Sequence, residues 1–377
     1  MAGSIGDYSF HGARLDTRRT VEVLDHLFES NLSLTESGRC AVPICIWGTH
    51  GIGKTSVVVE YAKKKGWGFS YCAPAQFEEM GDLHGLPTRV EATDEKEAHT
   101  AFLPPDWVPR EPGPGILLLD DINRADERIL RGLMQLLQNF ELFSWRLPPK
   151  WQIVATANPE GGDYSVTPMD DAMLTRMMHI TMVFDVKAWA AWALSLGIDS
   201  RGVDFVLSYP ELVSGGRTTP RTLCQFFDSI KGIEDLKANL DLVYVLARSC
   251  VDEETAAAFL AFARDEIEHL IAPDEILEAK VFDDVGSRLT ELGQPTKETI
   301  RLDRLATIAS RLVLYLCDSK YKPKKEHEDN LVQFLLHDSL PNELRFSVHQ
   351  DLINASNPKI VKMAQNRRLA KLVLQGM

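Results

Sequence analysis

Apolar positions in the first half of the chain come in short unbroken runs separated by stretches with a helical repeat. In the second half the runs vanish and the helical repeat takes over. Val42 to Trp47 (VPICIW) is of strand length and composition and ends at a glycine loop. Beyond the loop a helix is expected from Lys54 to about Gly66, a residue suited to close it. Gly115–Asp121 (GILLLDD) and Trp151–Asn158 (WQIVATAN) read as two further buried strands. Between them Ile129, Leu133, Leu136 and Leu137 recur at i, i+4, i+7 and i+8, the core face of a helix. Strands alternating with helices predict an α/β domain on a parallel sheet. Glu141–Val154 (ELFSWRLPPKWQIV) is expected to be a hairpin turning at Pro148-Pro149, and the acidic segment Arg89–Thr100 an exposed loop.

After about Asp185 nearly everything reads as helix. The glycine-rich turn in VLSYPELVSGGRTTPRTL separates two helices, and the pattern continues to about Ala272. From Pro273 there is a further helical region, interrupted by the charged, proline-bearing stretch DSKYKPKKEHEDN. The expected division is therefore 1–185, 186–272 and 273–377. The last helix should open at Asn357-Pro358, an N-cap followed by proline at the first helical position. Lys359, Lys362, Arg367, Arg368 and Lys371 make that end locally basic, read as a solvated face with Leu369, Leu372 and Val373 turned inward.

Charge narrows the partners. A net charge of −13 repels a phosphate polymer, which argues against general nucleic-acid binding while leaving room for a local basic groove. Six cysteines are scattered without a CxxC pair and read as reduced thiols, pointing to the cytoplasm. The opening MAGSIGDYSF has neither a basic start nor an apolar run, so no signal peptide is expected. The apolar stretch AWAAWALSLGI falls well short of the ~20 residues of a membrane span.

The chemistry begins at Gly48. Gly48, Gly53, Lys54 and Thr55 fit G-x-x-x-x-G-K-S/T between a strand and a helix, the setting that a phosphate-binding loop requires. Thr49, His50, Gly51, Ile52 and Ser56 complete the candidate cradle for ATP, with no special role for His50. Glycines let backbone amides wrap the phosphates, Lys54 reaches the terminal phosphates, and Thr55 ligates Mg²⁺. At the end of ILLLDD, Asp120 is the second candidate Mg²⁺ ligand and Asp121 the candidate base that polarises the attacking water.

The stretches beyond this pair carry a resemblance. IVATANPEGG puts Asn158 at the tip of the next strand, and TPMDDAMLTRMMHI is similar to the pattern that bears an arginine finger. GGRTTPRTL resembles the Pro-Arg start of a lid helix, while DINRADERILRGLMQLLQ and EEMGDLHGLP resemble two further stretches of one clade. Together, over roughly Pro43 to Phe227, they resemble an AAA+ ATPase of the MoxR type, in the clade with an insert in helix 2. The signal-transducing NTPases, which GIGKTS and the paired aspartates also bring to mind, would show an arginine at the sensor strand and a Gly-Leu-Pro lid motif.

The resemblance implies a P-loop AAA+ domain with a parallel sheet, a helical lid and a helical C-terminal region. It makes Asn158 the polar sensor 1, Arg176 the finger acting across a subunit interface, and Arg221 the sensor 2 residue of the lid. The family's usual residue at the position of Asp121 is Glu, one methylene longer. A homo-oligomeric ring, a hexamer, is implied, with ATP hydrolysis remodelling or activating a protein partner, often one with a von Willebrand factor A domain. The segment Gly81–Pro87 and the Leu142–Trp151 hairpin would line the top and pore of that ring, with Trp145 and Trp151 either touching substrate or packed inside. Two other readings stand beside this one: a nucleic-acid motor, and a nucleotide-gated scaffold in which Asp121 leaves hydrolysis slow.

Overall fold

In the computed structural model, residues 11–92, 97–161, 165–213, 216–265, 270–294, 301–318, 321–366 and 368–369 are described. The opening MAGSIGDYSF, the middle of the Arg89–Thr100 segment, and Arg367, Lys371, Leu372 and Val373 of the basic end lie outside them. The chain divides into two compact units, 1–185 and 186–377.

The first unit contains β1 (Ala13–Leu15), α1 (Thr17–Glu36), β2 (Ile44–Trp47), α2 (Lys54–Lys65) and β3 (Gly68–Cys72). Next come α3 (Met80–His84), β4 (Leu86–Val90), β5 (His99–Leu103), β6 (Gly115–Leu119), α4 (Glu127–Asn139), β7 (Glu141–Leu142) and β8 (Trp145–Arg146). β9 (Trp151–Ala157), α5 (Asp171–Leu174) and β10 (Met178–Met182) complete it. Six strands form one parallel sheet in the order β1-β10-β2-β9-β6-β3.

The unbroken apolar runs reflect burial of both sheet faces. Ile44, Ile46, Ile116, Leu118 and Val154 turn to one face, against Leu24 and Phe28 of α1 and Val58 and Ala62 of α2. Cys45, Trp47, Leu117, Leu119 and Ile153 turn to the other, where Ile129, Leu133, Leu136 and Leu137 of α4 are all buried. Each Leu, Ile, Val or Phe side chain so removed from water contributes ~1.5–3 kcal/mol before entropy is counted. Gly66 closes α2 in the left-handed region at φ 65. Because β2, β6 and β9 lie side by side in register, Trp47 opposite Ala157 and Leu119 opposite Ala155, the residues just past all three emerge along one edge.

Two expectations change. The hairpin after α4 pairs Leu142 with Trp145, so it turns at Phe143-Ser144 and not at Pro148-Pro149. Phe143 takes the turn's positive φ, 51, without the glycine or asparagine that would announce it. The two prolines lead into the central strand β9, where the Pro149 carbonyl accepts from Gly113 N at 2.8 Å. The outer parts of the segment expected as a loop are strands: β4 and β5 pair antiparallel, Val90 opposite His99. Trp145 and Trp151 are packed inside, with Trp145 Nε1 donating to the His84 carbonyl and Trp151 Nε1 to that of Glu111.

The second unit holds eleven helices among the described residues: α6 (Val186–Ser195), α7 (Ser200–Ser208), α8 (Pro220–Ile230), α9 (Leu240–Cys250), α10 (Glu253–Asp265) and α11 (Pro273–Leu277). They continue with α12 (Phe282–Gly293), α13 (Leu302–Cys317), α14 (Lys325–Leu336), α15 (Asn342–Ile353) and α16 (Pro358–Ala364), the last capped by Asn357 as expected. α7 and α13, from either side of the expected division at residue 272, pack on each other. Ser208 and Thr307 share a hydroxyl hydrogen bond of 3.0 Å, and Arg311 pairs with Asp204 at 3.0 Å. No described helix is long and apolar enough to cross a membrane.

Candidate nucleotide site

Gly48 leaves β2 still paired to the sheet, its N–H donating to the Ala157 carbonyl at 3.2 Å. A Cβ there would stand 2.6 Å from the Ile52 side chain and 2.8 Å from the Met182 carbonyl oxygen, so only glycine fits. Gly53 holds φ 99 as the residue before α2, again a glycine conformation. Between them the loop folds tightly enough that Lys54 Nζ donates to the Gly48 carbonyl at 2.8 Å and the Thr49 carbonyl at 3.1 Å. Burial brings the Lys54 ammonium down to about 8, against the opposing charges of Asp121 and Asp120.

The paired aspartates stand opposite. Asp120 Oδ1 accepts from Thr55 Oγ1 and from Thr156 Oγ1, both at 2.7 Å, and its Oδ2 accepts from the Tyr71 hydroxyl at 3.1 Å. Thr156 Oγ1 in turn accepts from the Asp121 N–H at 2.8 Å. Asp121 itself lies in the left-handed region, φ 50 and ψ 44.

Asn158 joins the two halves. Its Oδ1 accepts from Lys54 Nζ at 3.2 Å, and its Nδ2 donates to Asp121 Oδ1 at 2.9 Å. An ammonium can only donate and a carboxylate only accept, so the amide's orientation is fixed. Asn123, fully buried, holds the Asn158 backbone with a reciprocal pair: Asn158 N–H to Asn123 Oδ1 at 3.0 Å, Asn123 Nδ2 to the Asn158 carbonyl at 2.8 Å. Arg124 pairs with Asp121 Oδ2 at 3.3 Å.

The fold thus brings together Gly48, Thr49, Gly53, Lys54, Thr55, Asp120, Asp121 and Asn158. His50, Gly51 and Ile52 are half-buried in the loop between them, and Ser56 is exposed on the first turn of α2. Arg176 is not in this network. It is half-buried beyond α5, its Nε donating to Gln138 Oε1 at 3.1 Å and its Nη1 to the Ala172 carbonyl. Arg221 belongs to the second unit, exposed on the first turn of α8 behind the Thr219 cap. Sequence reasoning misses Tyr71, Asn123 and Thr156. Asn123 sits within DINR and could have been suspected there; Tyr71 and Thr156 reach Asp120 only through strand order.

An open parallel sheet with a lysine-bearing glycine loop and an Asp pair at the strand ends defines a P-loop nucleotide-binding protein. Residues 43–177 match the family model of the AAA domain, dynein-related subfamily, so this part of the chain is an AAA+ ATPase domain. Among solved structures, the chain is similar to the RuvB Holliday junction branch migration motor of Thermotoga maritima at 14% identity. That match covers 76% of this chain and 86% of that one, with a TM-score of 0.35. Two mutants of the same RuvB match at 12% and 15% identity, covering 73% and 76% of this chain and 76% and 87% of theirs, each with a TM-score of 0.37. No curated protein matches the chain.

Proposed function

We propose that the protein is a ring-forming AAA+ ATPase of the MoxR type, a homo-hexamer that couples ATP binding and hydrolysis to remodelling or activation of a protein partner. One observation carries this reading. Lys54, Asn158 and Asp121 form a continuous hydrogen-bonded chain beside the Thr55–Asp120 pair, while the half-buried Arg176 stands apart, on Gln138 and the Ala172 carbonyl. Such a site binds phosphate with Lys54 and orients water with Asp121 and Asn158, and it gains its second cation from a neighbour. In other nucleotide hydrolases an arginine supplied this way is worth about 10³–10⁵ in rate.

The residues fit a magnesium nucleotide. Thr55 Oγ1 and Asp120 Oδ1, 2.7 Å apart, are the hard oxygen donors that Mg²⁺ takes beside phosphate oxygens. Bound there, Mg²⁺ would neutralise phosphate charge. Lys54 would exchange the carbonyls of Gly48 and Thr49 for a terminal phosphate, which restores a charge partner to a partly desolvated ammonium. Asp121 would take a proton at the carboxylate oxygen that Arg124 now occupies, so release of Arg124 belongs to activation.

The partner surface is proposed on the two hairpins. Phe102 N–H donates to Ser144 Oγ at 2.5 Å, and the rings of His84, Phe102 and Phe143 meet at 4.8–5.1 Å, joining them into one apolar ridge. Leu86, Leu103 and Phe143 are exposed on it. By the same resemblance the partner carries a von Willebrand factor A domain, residues 186–272 are the lid, and Arg221 is its sensor 2 residue. Six free thiols suit a cytoplasmic setting.

The test is ATP turnover per subunit over a wide range of protein concentration, for the wild type and Arg176→Ala. Turnover that rises with concentration and collapses in the variant is expected; flat turnover unaffected by the substitution sinks the ring. One observation favours a second reading, the slow nucleotide-gated scaffold: both oxygens of the short Asp121 carboxylate are already engaged. A large gain in turnover from Asp121→Glu would support it.

A further inference from the structure

We propose that His179 is a positioning residue that ties the nucleotide loop of one subunit to the arginine which that subunit offers its neighbour. The proposal rests on the reading of Arg176 as a residue acting in trans. Trp47 is the last residue of β2, fully buried, and its peptide leads directly into Gly48. On the adjacent β10, His179 stands opposite Cys45, so His179 and Trp47 share a sheet face as diagonal neighbours. Trp47 Nε1 donates to His179 Nδ1 at 2.9 Å.

That bond fixes the rest of the chain. An indole nitrogen only donates, so Nδ1 must carry the lone pair and the proton lies on Nε2. Nε2 then donates to the Leu174 carbonyl at 2.7 Å. Leu174 ends α5, two residues before Arg176. Burial holds the His179 imidazole below its usual range, which favours the neutral ring that this pattern needs. The His11 ring lies over Trp47 at 4.4 Å between centroids and closes the group from the side.

The line from Gly48 to Arg176 thus consists of one buried indole, one imidazole and one carbonyl. When Lys54 gives up the Gly48 carbonyl to a phosphate, the Gly48–Thr49 peptide, the next one along the chain from the Trp47–Gly48 peptide, is freed from that tether. The indole's shift passes through His179 to the turn at residues 175–177. A subunit therefore presents its arginine in a position that depends on its own nucleotide, and the neighbour's turnover reads it.

Two amide substitutions divide the link. His179→Gln places a donor near the Nε2 position and keeps Leu174 while losing Trp47; His179→Asn keeps an acceptor for Trp47 and loses Leu174. Both should bind a fluorescent ATP analogue as the wild type does, unfold at nearly the wild-type temperature, and turn ATP over about tenfold more slowly, the scale of one hydrogen bond. The deciding measurement mixes either variant with Lys54→Ala subunits, which turn over no ATP, lack the ammonium that tethers the Gly48 carbonyl, and so offer an intact Arg176 in its released position. Turnover per His179-variant subunit should recover in mixed rings, because the defect lies in what a subunit gives and not in its own site. Arg176→Ala, mixed in the same way, is the reference. If Arg176→Ala alone is unimpaired, the trans reading fails and the relay with it. If Arg176→Ala is impaired and rescued while the His179 variants keep full turnover, or lose it without rescue, the relay alone is overturned.

Discussion

The two units of the chain bury polar side chains in opposite ways. In the helical unit the buried polar side chains of the described residues form small separate groups: Ser208 with Thr307, Thr218 with Thr255 and Asp252, Asn330 with the carbonyls of Leu277 and Ala279. In the α/β unit Lys54, Asn123, Thr156 and Asn158 are buried within one connected network at the ends of β2, β6 and β9. The first pattern satisfies groups that cannot reach water. The second places an ammonium on carbonyls that an anion can replace, so Lys54, Asp120 and Asp121 are all hydrogen-bonded before an anion arrives.

Perturbing each pattern should therefore break different things. Asp121→Asn, in the network, should lower turnover by about 10²–10⁴-fold, the range of a lost general base, with ATP affinity and unfolding temperature little changed. Arg311→Leu, in the helical unit, should do the reverse. It strands a largely buried Asp204 carboxylate, costing roughly 3 kcal/mol in chemical denaturation, with turnover per folded subunit preserved.

The second deficit should depend on pH. Burial pushes Asp204 up to about 6 even with Arg311 beside it. A carboxyl raised above its unfolded value supports the fold while protonated, and that support fades as pH rises through its folded value. Arg311 limits the fade, so the deficit of Arg311→Leu should be larger near pH 8 than near pH 5; equal deficits would remove Asp204 from the explanation.

Leu133→Ala sharpens the contrast inside the α/β unit, since Leu133 is fully buried on α4 but touches no part of the network. It should cost about 2–5 kcal/mol of stability and leave the Michaelis constant for ATP alone. The smallest effect is expected from Tyr71→Phe, which removes one of three donors to Asp120 and should slow turnover by about three- to tenfold at most, as one hydrogen bond allows. A loss as large as that of Asp121→Asn would move Tyr71 into the chemistry.

How much of this the sequence could show depended on sequence distance. The glycine loop, the Asp pair and the leucines of α4 are local patterns, and they appear where the pattern places them. The roles of Tyr71, Thr156 and His179 depend on which strands lie side by side. Tyr71 meets Asp120 across 49 positions and Trp47 meets His179 across 132, so no spacing rule announces them. The hairpin turn misleads for the opposite reason: two prolines give a strong local turn signal, whereas Phe143 accepts a positive φ with no signal at all.

The left-handed peptide at Asp121 limits what that position can become. Short side chains such as Asp and Asn tolerate this backbone best, and a longer one meets it at ~1–2 kcal/mol. An exchange to glutamate therefore lengthens the lever and loads its pivot at once, so whatever turnover Asp121→Glu gains is set against a loss of stability at the turn after β6.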